Sequence, residues 1–132
     1  MEEFGAEIAY PTIELICEIN RRMILESDGL FVPPDNLLNR GSLEYILYTI
    51  EFPFYDTYTT PKEKAAGIAY YIITRHVFHD GNKRTAIQTA REFLIQNNFK
   101  LFLDTSIEDL ALEIAQNRAT EDQLLRWLHE HQ

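Results

Sequence analysis

Apolar residues return at helical spacing along most of this chain, and that periodicity restricts it to a helical fold more tightly than any other feature. Ile13, Ile16, Cys17 and Ile24 set a first stripe, which predicts a helix ending near Gly29. Pro33-Pro34-Asp35-Asn36 then breaks the chain. Ser42 and Glu44, with Leu43, Ile46, Leu47 and Ile50, predict a second helix that is stopped by Pro53. The sharpest start signal is Thr60-Pro61-Lys62-Glu63, with an N-cap hydroxyl, proline at the first helical position and glutamate at the third. The stripe it leads, Ala65, Ala69 and Ile72, runs on to His76 and predicts that this histidine leaves from the core-facing side of the helix end. After Asp80-Gly81 the pattern resumes as Ala86, Ala90, Phe93 and Leu94, a fourth helix from near Asn82 toward Asn97-Asn98. Thr105 or Ser106, and later Thr120, head two short final helices. The expected fold is therefore all-α, a single domain over residues 1–132 with its core over roughly 8–128, built from about six helices.

One stretch resists the helical pattern. Glu51 to Thr59 is rich in aromatic and β-branched residues and contains Pro53, so it is expected to form a short extended, exposed flap carrying Phe52, Phe54, Tyr55 and Tyr58. No repeat or glycine- and serine-rich linker suggests a second domain.

Composition bounds the partners. With 21 acidic against 12 basic residues, a net charge of −9 disfavours direct binding to nucleic acid and suits a basic or mixed-charge protein partner. Cys17 is the single cysteine, which excludes a disulfide or a cysteine-based zinc site within one chain and fits a reducing, cytoplasmic setting. The opening Met-Glu-Glu-Phe-Gly-Ala-Glu has neither the basic region nor the apolar run of a secretion signal, and no stretch approaches the ~20 apolar residues that span a bilayer. A soluble protein without membrane contact is expected.

The segment His76 to Arg84 holds the parts of a phosphate site. Amides at the start of the fourth helix lack partners and sit at the positive end of its dipole, where an anion can dock. Gly81 allows close approach of backbone and ligand, Asn82 offers a neutral donor, and Lys83 and Arg84 add two cations, the arginine able to bind phosphate bidentately. Asp80 would repel phosphates unless a divalent cation lay between, and magnesium typically takes one or two carboxylates plus phosphate oxygens. Histidine changes charge near neutral pH, which suits His76 to remove a proton from an attacking hydroxyl. Each feature also has a plainer reading: a hydrogen-bonded structural histidine, an Asp-Gly-Asn turn, or a metal pair of His76 and His79 with Asp80. Phe78 reads as the anchor that packs the loop into the core. Cations opening a helix are unfavourable without an anion to offset them, which leaves the structural reading least comfortable at Lys83 and Arg84.

The run His76-Val77-Phe78-His79-Asp80-Gly81-Asn82-Lys83-Arg84-Thr85 resembles the signature of the Fic/Doc superfamily, in particular its death-on-curing (Doc) branch. The likeness extends to Ile19–Met23, Asn36–Glu44, Glu63–Ala66 and Leu124–Leu128. It implies a small helical Fic/Doc-type domain acting as the toxin of a bacterial toxin–antitoxin pair, restrained by a separate antitoxin chain. Fic proteins generally transfer the nucleotide part of ATP to a protein hydroxyl, whereas Doc transfers the terminal phosphate to elongation factor Tu and stops translation. Adenylylating members usually carry glycine where Lys83 stands and arginine where Ile87 stands, so the resemblance implies the kinase-like reaction, with nucleotide transfer and a catalytically silent binding module as the alternatives. Matched by position, His76 would be the base, Asp80 the magnesium ligand, Asn82 a donor of the phosphate loop, and Lys83 and Arg84 the contacts to ATP phosphates. Val77 departs from a proline frequent at that place. Residues 51–59 fall where the family has a flap that aligns the target segment, and the family's internal inhibitory run is not found in this chain.

Overall fold

The computed structural model describes residues 7–132, so the opening run read for a leader lies almost wholly outside the described residues. Six helices appear in the order α1 (Ile13–Ser27), α2 (Arg40–Glu51), α3 (Pro61–Thr74), α4 (Asn82–Gln96), α5 (Ser106–Ala115) and α6 (Glu121–Glu130). Among the described residues there is no strand, only an isolated antiparallel bridge between Leu37 and Phe78. None of these helices is long and apolar enough to cross a membrane.

Helix α3 is the central element, because its sequence is apolar almost all round rather than along one stripe. Ala65, Ala66, Gly67, Ile68, Ala69, Ile72 and Ile73 are all buried, and the small residues let α2, α4, α5 and α6 pack against it. Helix α1 lies against α4. The capping box that the sequence promised is present: Thr60 Oγ1 accepts from Glu63 N at 3.1 Å while Glu63 Oε1 accepts from Thr60 N at 3.0 Å. The bond from Thr60 N, with two more from Thr59, holds the Glu63 carboxyl below the usual carboxylate range. Helix α6 opens on the same device, built from Thr120 and Gln123.

Two lysines of α3 are buried, against the habit of the residue type. Lys64 Nζ donates to the Ile50 carbonyl at 2.8 Å, in the last turn of α2, and lies over the Tyr10 ring. A cation is favourable at that helix end. Lys62 lies over the Phe99 ring and bonds Gln132.

Several expectations are corrected. Helix α2 begins at Arg40 rather than at Ser42; α5 is headed by Thr105 and Ser106 as expected, but the Thr105 side chain makes no cap bond and Asp104 Oδ1 instead accepts from Ser106 N at 2.8 Å. The flap is not extended. Residues 52–59 form turns, with Thr57 N donating to the Phe54 carbonyl at 3.1 Å and left-handed backbone at Tyr55 and Tyr58. Phe52, Phe54 and Tyr55 are exposed as expected, but Tyr58 is half-buried. The curl has a packing reason: the Tyr58 ring lies so close to Gly67 that a Cβ there would come within 2.5 Å of it. An extended flap could not bring that ring back onto α3.

Candidate active-site loop and groove

Helix α3 stops at Thr74, and the chain reverses through His76 in the left-handed region, at φ 47°. His76 is therefore exposed and does not lie on the core side. The reversal instead drives Val77 and Phe78 inward, both fully buried. Burying a phenylalanine is worth roughly 1.5–3 kcal/mol, enough to fix the loop's middle while its ends stay exposed. Phe78 thus packs the middle of the loop into the core.

A second chain segment clamps the loop from outside. Leu38 N and Asn39 N both donate to the Val77 carbonyl, at 2.8 and 3.0 Å, and His79 N donates to the Asn36 carbonyl at 2.9 Å. Asn39 Nδ2 donates to the carbonyls of Arg75 and His76, at 3.3 and 3.1 Å. Asn82 closes the loop on itself: its Oδ1 accepts from Phe78 N at 2.8 Å and its Nδ2 donates to Phe78 O at 2.9 Å. The Asn82 side chain is chiefly a brace, leaving one Nδ2 hydrogen for a ligand.

Behind the loop lies a buried amide network. Asn20 Nδ2 donates to the Asp80 carbonyl at 2.9 Å and to Thr85 Oγ1 at 3.0 Å, and Asn20 Oδ1 accepts from Asn36 Nδ2 at 3.0 Å. Asn36 Oδ1 accepts from Val32 N at 2.7 Å. Asn20, Asn36 and Thr85 are wholly buried, so their polar groups must be satisfied by one another. None of these was a candidate from the sequence. The signal was there in Asn20, a polar residue among Ile16, Ile19, Met23 and Ile24 on the buried face of α1.

The Asp80 carboxylate accepts from Leu30 N at 2.8 Å and from Gly81 N at 2.9 Å. Each oxygen keeps acceptor capacity beyond that bond. Among the described residues no three His, Cys, Asp or Glu side chains gather to hold a metal, so the His76–His79–Asp80 set is not assembled as a protein cage. One exposed carboxylate fits magnesium only in its usual phosphate-bridging manner, with substrate oxygens and water supplying the remaining positions.

Gly81 begins α4 in the left-handed region, at φ 79°, and a Cβ there would meet Ile24 Cδ1 at 2.9 Å and Asn20 Nδ2 at 3.2 Å. Only glycine serves both demands. Unlike α1, α3 and α6, helix α4 has no side-chain cap and no acidic residue in its first turn. The amides of Asn82, Lys83 and Arg84 find no acceptor among the described residues. Lys83 and Arg84 are exposed, with no carboxylate within 4.0 Å among the described residues. The helix start is thus left positive at both backbone and side-chain level.

From there a groove of about 790 Å³ runs along α4, lined on one side by Lys83, Arg84, Ile87 and Arg91 and on the other by Asp104, Thr105 and Glu108. Of the residues singled out in the sequence, it takes in Lys83 and Arg84. His76, Asp80, Gly81 and Asn82 lie on the loop leading into α4, and Phe52, Phe54, Tyr55 and Tyr58 stand elsewhere. The groove's acidic wall is pinned by the residue that follows α6. Asp104 Oδ2 meets His131 Nε2 at 3.0 Å, while His131 Nδ1 meets the Trp127 carbonyl at 2.8 Å. Both ring nitrogens face acceptors, so the imidazole satisfies both only when it carries two protons.

Over residues 10–94 the chain matches the family described as Fic/DOC family. No curated protein matches it. The matched span covers the loop, its two bracing segments and nearly all of α4, and stops before the acidic wall of the groove.

Proposed function

Because the chain belongs to the Fic/DOC family, whose members are typically transferases that modify proteins, we propose that it moves the terminal phosphate of ATP onto a hydroxyl of a target protein. The observation that carries this reading is the start of α4: uncapped amides, Lys83 and Arg84 without carboxylate partners among the described residues, and a groove large enough for a nucleotide leading away from them.

In this reading the amides of Asn82 to Arg84 and the two cations hold the phosphates in line with the attacking hydroxyl. His76, exposed at the other end of the loop, takes the hydroxyl proton. The hydroxyl oxygen forms a bond to the γ-phosphorus as the bond from that phosphorus to its bridging oxygen breaks, and ADP leaves with the electron pair. Phe78, Asn20, Asn36 and Asn82 keep the loop from yielding as charge develops. Asp80 would hold magnesium, which neutralises charge on the phosphates when bound. Lys83 in place of glycine and Ile87 in place of arginine favour phosphate over nucleotide transfer.

The biological setting follows as part of the same proposal: a cytoplasmic toxin that stops translation by modifying a translation factor such as elongation factor Tu. The exposed Phe52, Phe54 and Tyr55 would guide the target segment, and a separate antitoxin chain would restrain the enzyme.

ATP labelled at its γ- or its α-phosphate, incubated with the protein and a cell extract, tests the reaction. Label should reach protein from the γ position and be lost in His76→Ala. Label arriving from the α position alone makes the enzyme a nucleotidyltransferase. Undiminished growth arrest by His76→Ala makes it a silent binding module.

A further inference from the structure

Arg91 has no part in the loop and no place in the reaction so far described, yet it lines the same groove as Lys83 and Arg84. It follows Arg84 by seven residues, which returns it to the same face of α4 about 10 Å further along the axis. It is half-buried, and no carboxylate lies within 4.0 Å of it among the described residues. The nearest acid in sequence is already engaged: Glu92 Oε2 accepts from Arg22 at 2.9 Å and from Gln88 at 2.8 Å. Lys83, Arg84 and Arg91 thus line one groove with no carboxylate partner among the described residues, in a chain where acidic residues outnumber basic ones 21 to 12. Like charges gathered on one groove repel weakly through solvent, and an anion between them turns that repulsion into attraction.

We infer that Arg91 is a second anion contact of the groove, two helical turns from the clamp, and that it selects a polyphosphate over a monophosphate. This rests on the donor-site reading of the groove. A single phosphate seated on the amides of Asn82 to Arg84 lies too far along the helix to use Arg91, whereas a chain of phosphates laid against α4 engages it. The acids on the other walls, Asp104, Glu108 and Glu26 of α1, repel phosphate and leave the α4 side, with Lys83, Arg84 and Arg91, as the anionic ligand's track. Asp104 is itself held by Ser106 and His131, so it does not cross the groove to neutralise Arg91.

The test is calorimetric titration of the whole chain with ATP, AMP and inorganic tripolyphosphate. Arg91→Gln should weaken ATP and tripolyphosphate about tenfold, the loss expected for one charged hydrogen-bond contact, while AMP changes by less than about twofold. Arg118→Gln removes the same charge from an exposed site outside the groove and should leave all three unchanged. Equal weakening by both variants would reduce the effect to net charge and overturn the inference, as would an Arg91→Gln protein that binds tripolyphosphate like the wild type. In either case wild-type ATP binding leaves the donor-site reading standing. A wild-type chain that binds neither ATP nor tripolyphosphate removes both.

Discussion

Replacing Asn20 by alanine should cost about 2–3 kcal/mol, although the residue touches no ligand in the proposed reaction. The figure follows from what the substitution strands. Thr85 Oγ1 loses its donor but can turn toward the carbonyl of Gly81, one turn back in its own helix, so this part costs about 1 kcal/mol. The Asn36 amide loses its 3.0 Å bond to Asn20, and the Asp80 carbonyl loses its 2.9 Å bond from Asn20. Those two groups keep only the long 3.4 Å contact with each other. Two weakened buried groups add roughly 1–2 kcal/mol. Against the 5–15 kcal/mol typical of a domain, the variant still folds. In urea, with a slope of about 2 kcal/mol/M, the midpoint should fall by about 1–1.5 M at unchanged slope. Asn36→Ala and the double variant complete a cycle, in which groups sharing one network couple by at least about 1 kcal/mol. A midpoint shift below about 0.5 M, or single effects that add within about 0.5 kcal/mol, would refute the claim that this network holds the loop from behind.

Three further outcomes follow from other parts of the structure. Gly67→Ala gains about 1 kcal/mol of helix propensity but drives a methyl into Tyr58 and Ile50, an overpacking worth roughly 1–3 kcal/mol, so thermal melting should fall by a few degrees rather than rise. Emission from Trp127, the single tryptophan, reports the imidazole stacked on it at 3.6 Å. The Trp127 carbonyl first, then Asp104 and Glu130, raise the His131 pKa above 6.5, so the clasp is fully formed below that pH and is lost as pH rises through the higher folded value. Asp104, held low chiefly by Ser106, gives way only as pH falls below 3.8, so an emission midpoint at or below 6.5 would contradict the doubly protonated clasp. Asp104→Asn should move that midpoint down. In the transfer assay, His76→Ala should abolish labelling while leaving the unfolding free energy from urea titration within about 0.5 kcal/mol of wild type, because the side chain is exposed.

What the sequence determined by itself is local. Thr60-Pro61-Lys62-Glu63 and Thr120 to Gln123 announce their helices because a capping box closes within one turn, and the apolar stripes fix which faces turn inward. The positive start of α4 was equally legible, since Gly81, Asn82, Lys83 and Arg84 are neighbours in the chain. What lay beyond reach depends on residues distant in sequence. The stripe of α3 pointed His76 inward, but the chain reverses there because Val77 and Phe78 offer more apolar area to bury than an imidazole does. Tyr58 curls back because Gly67 leaves room for it, a vacancy on another element that no local propensity encodes. The Asn20–Asn36–Asp80 network joins three segments, and Arg91 faces the Asp104 wall only once α5 has docked beside α4. Periodicity tells each helix which side is apolar. Only packing decides which polar groups meet inside, because burial makes each of them need a partner that the sequence does not place nearby.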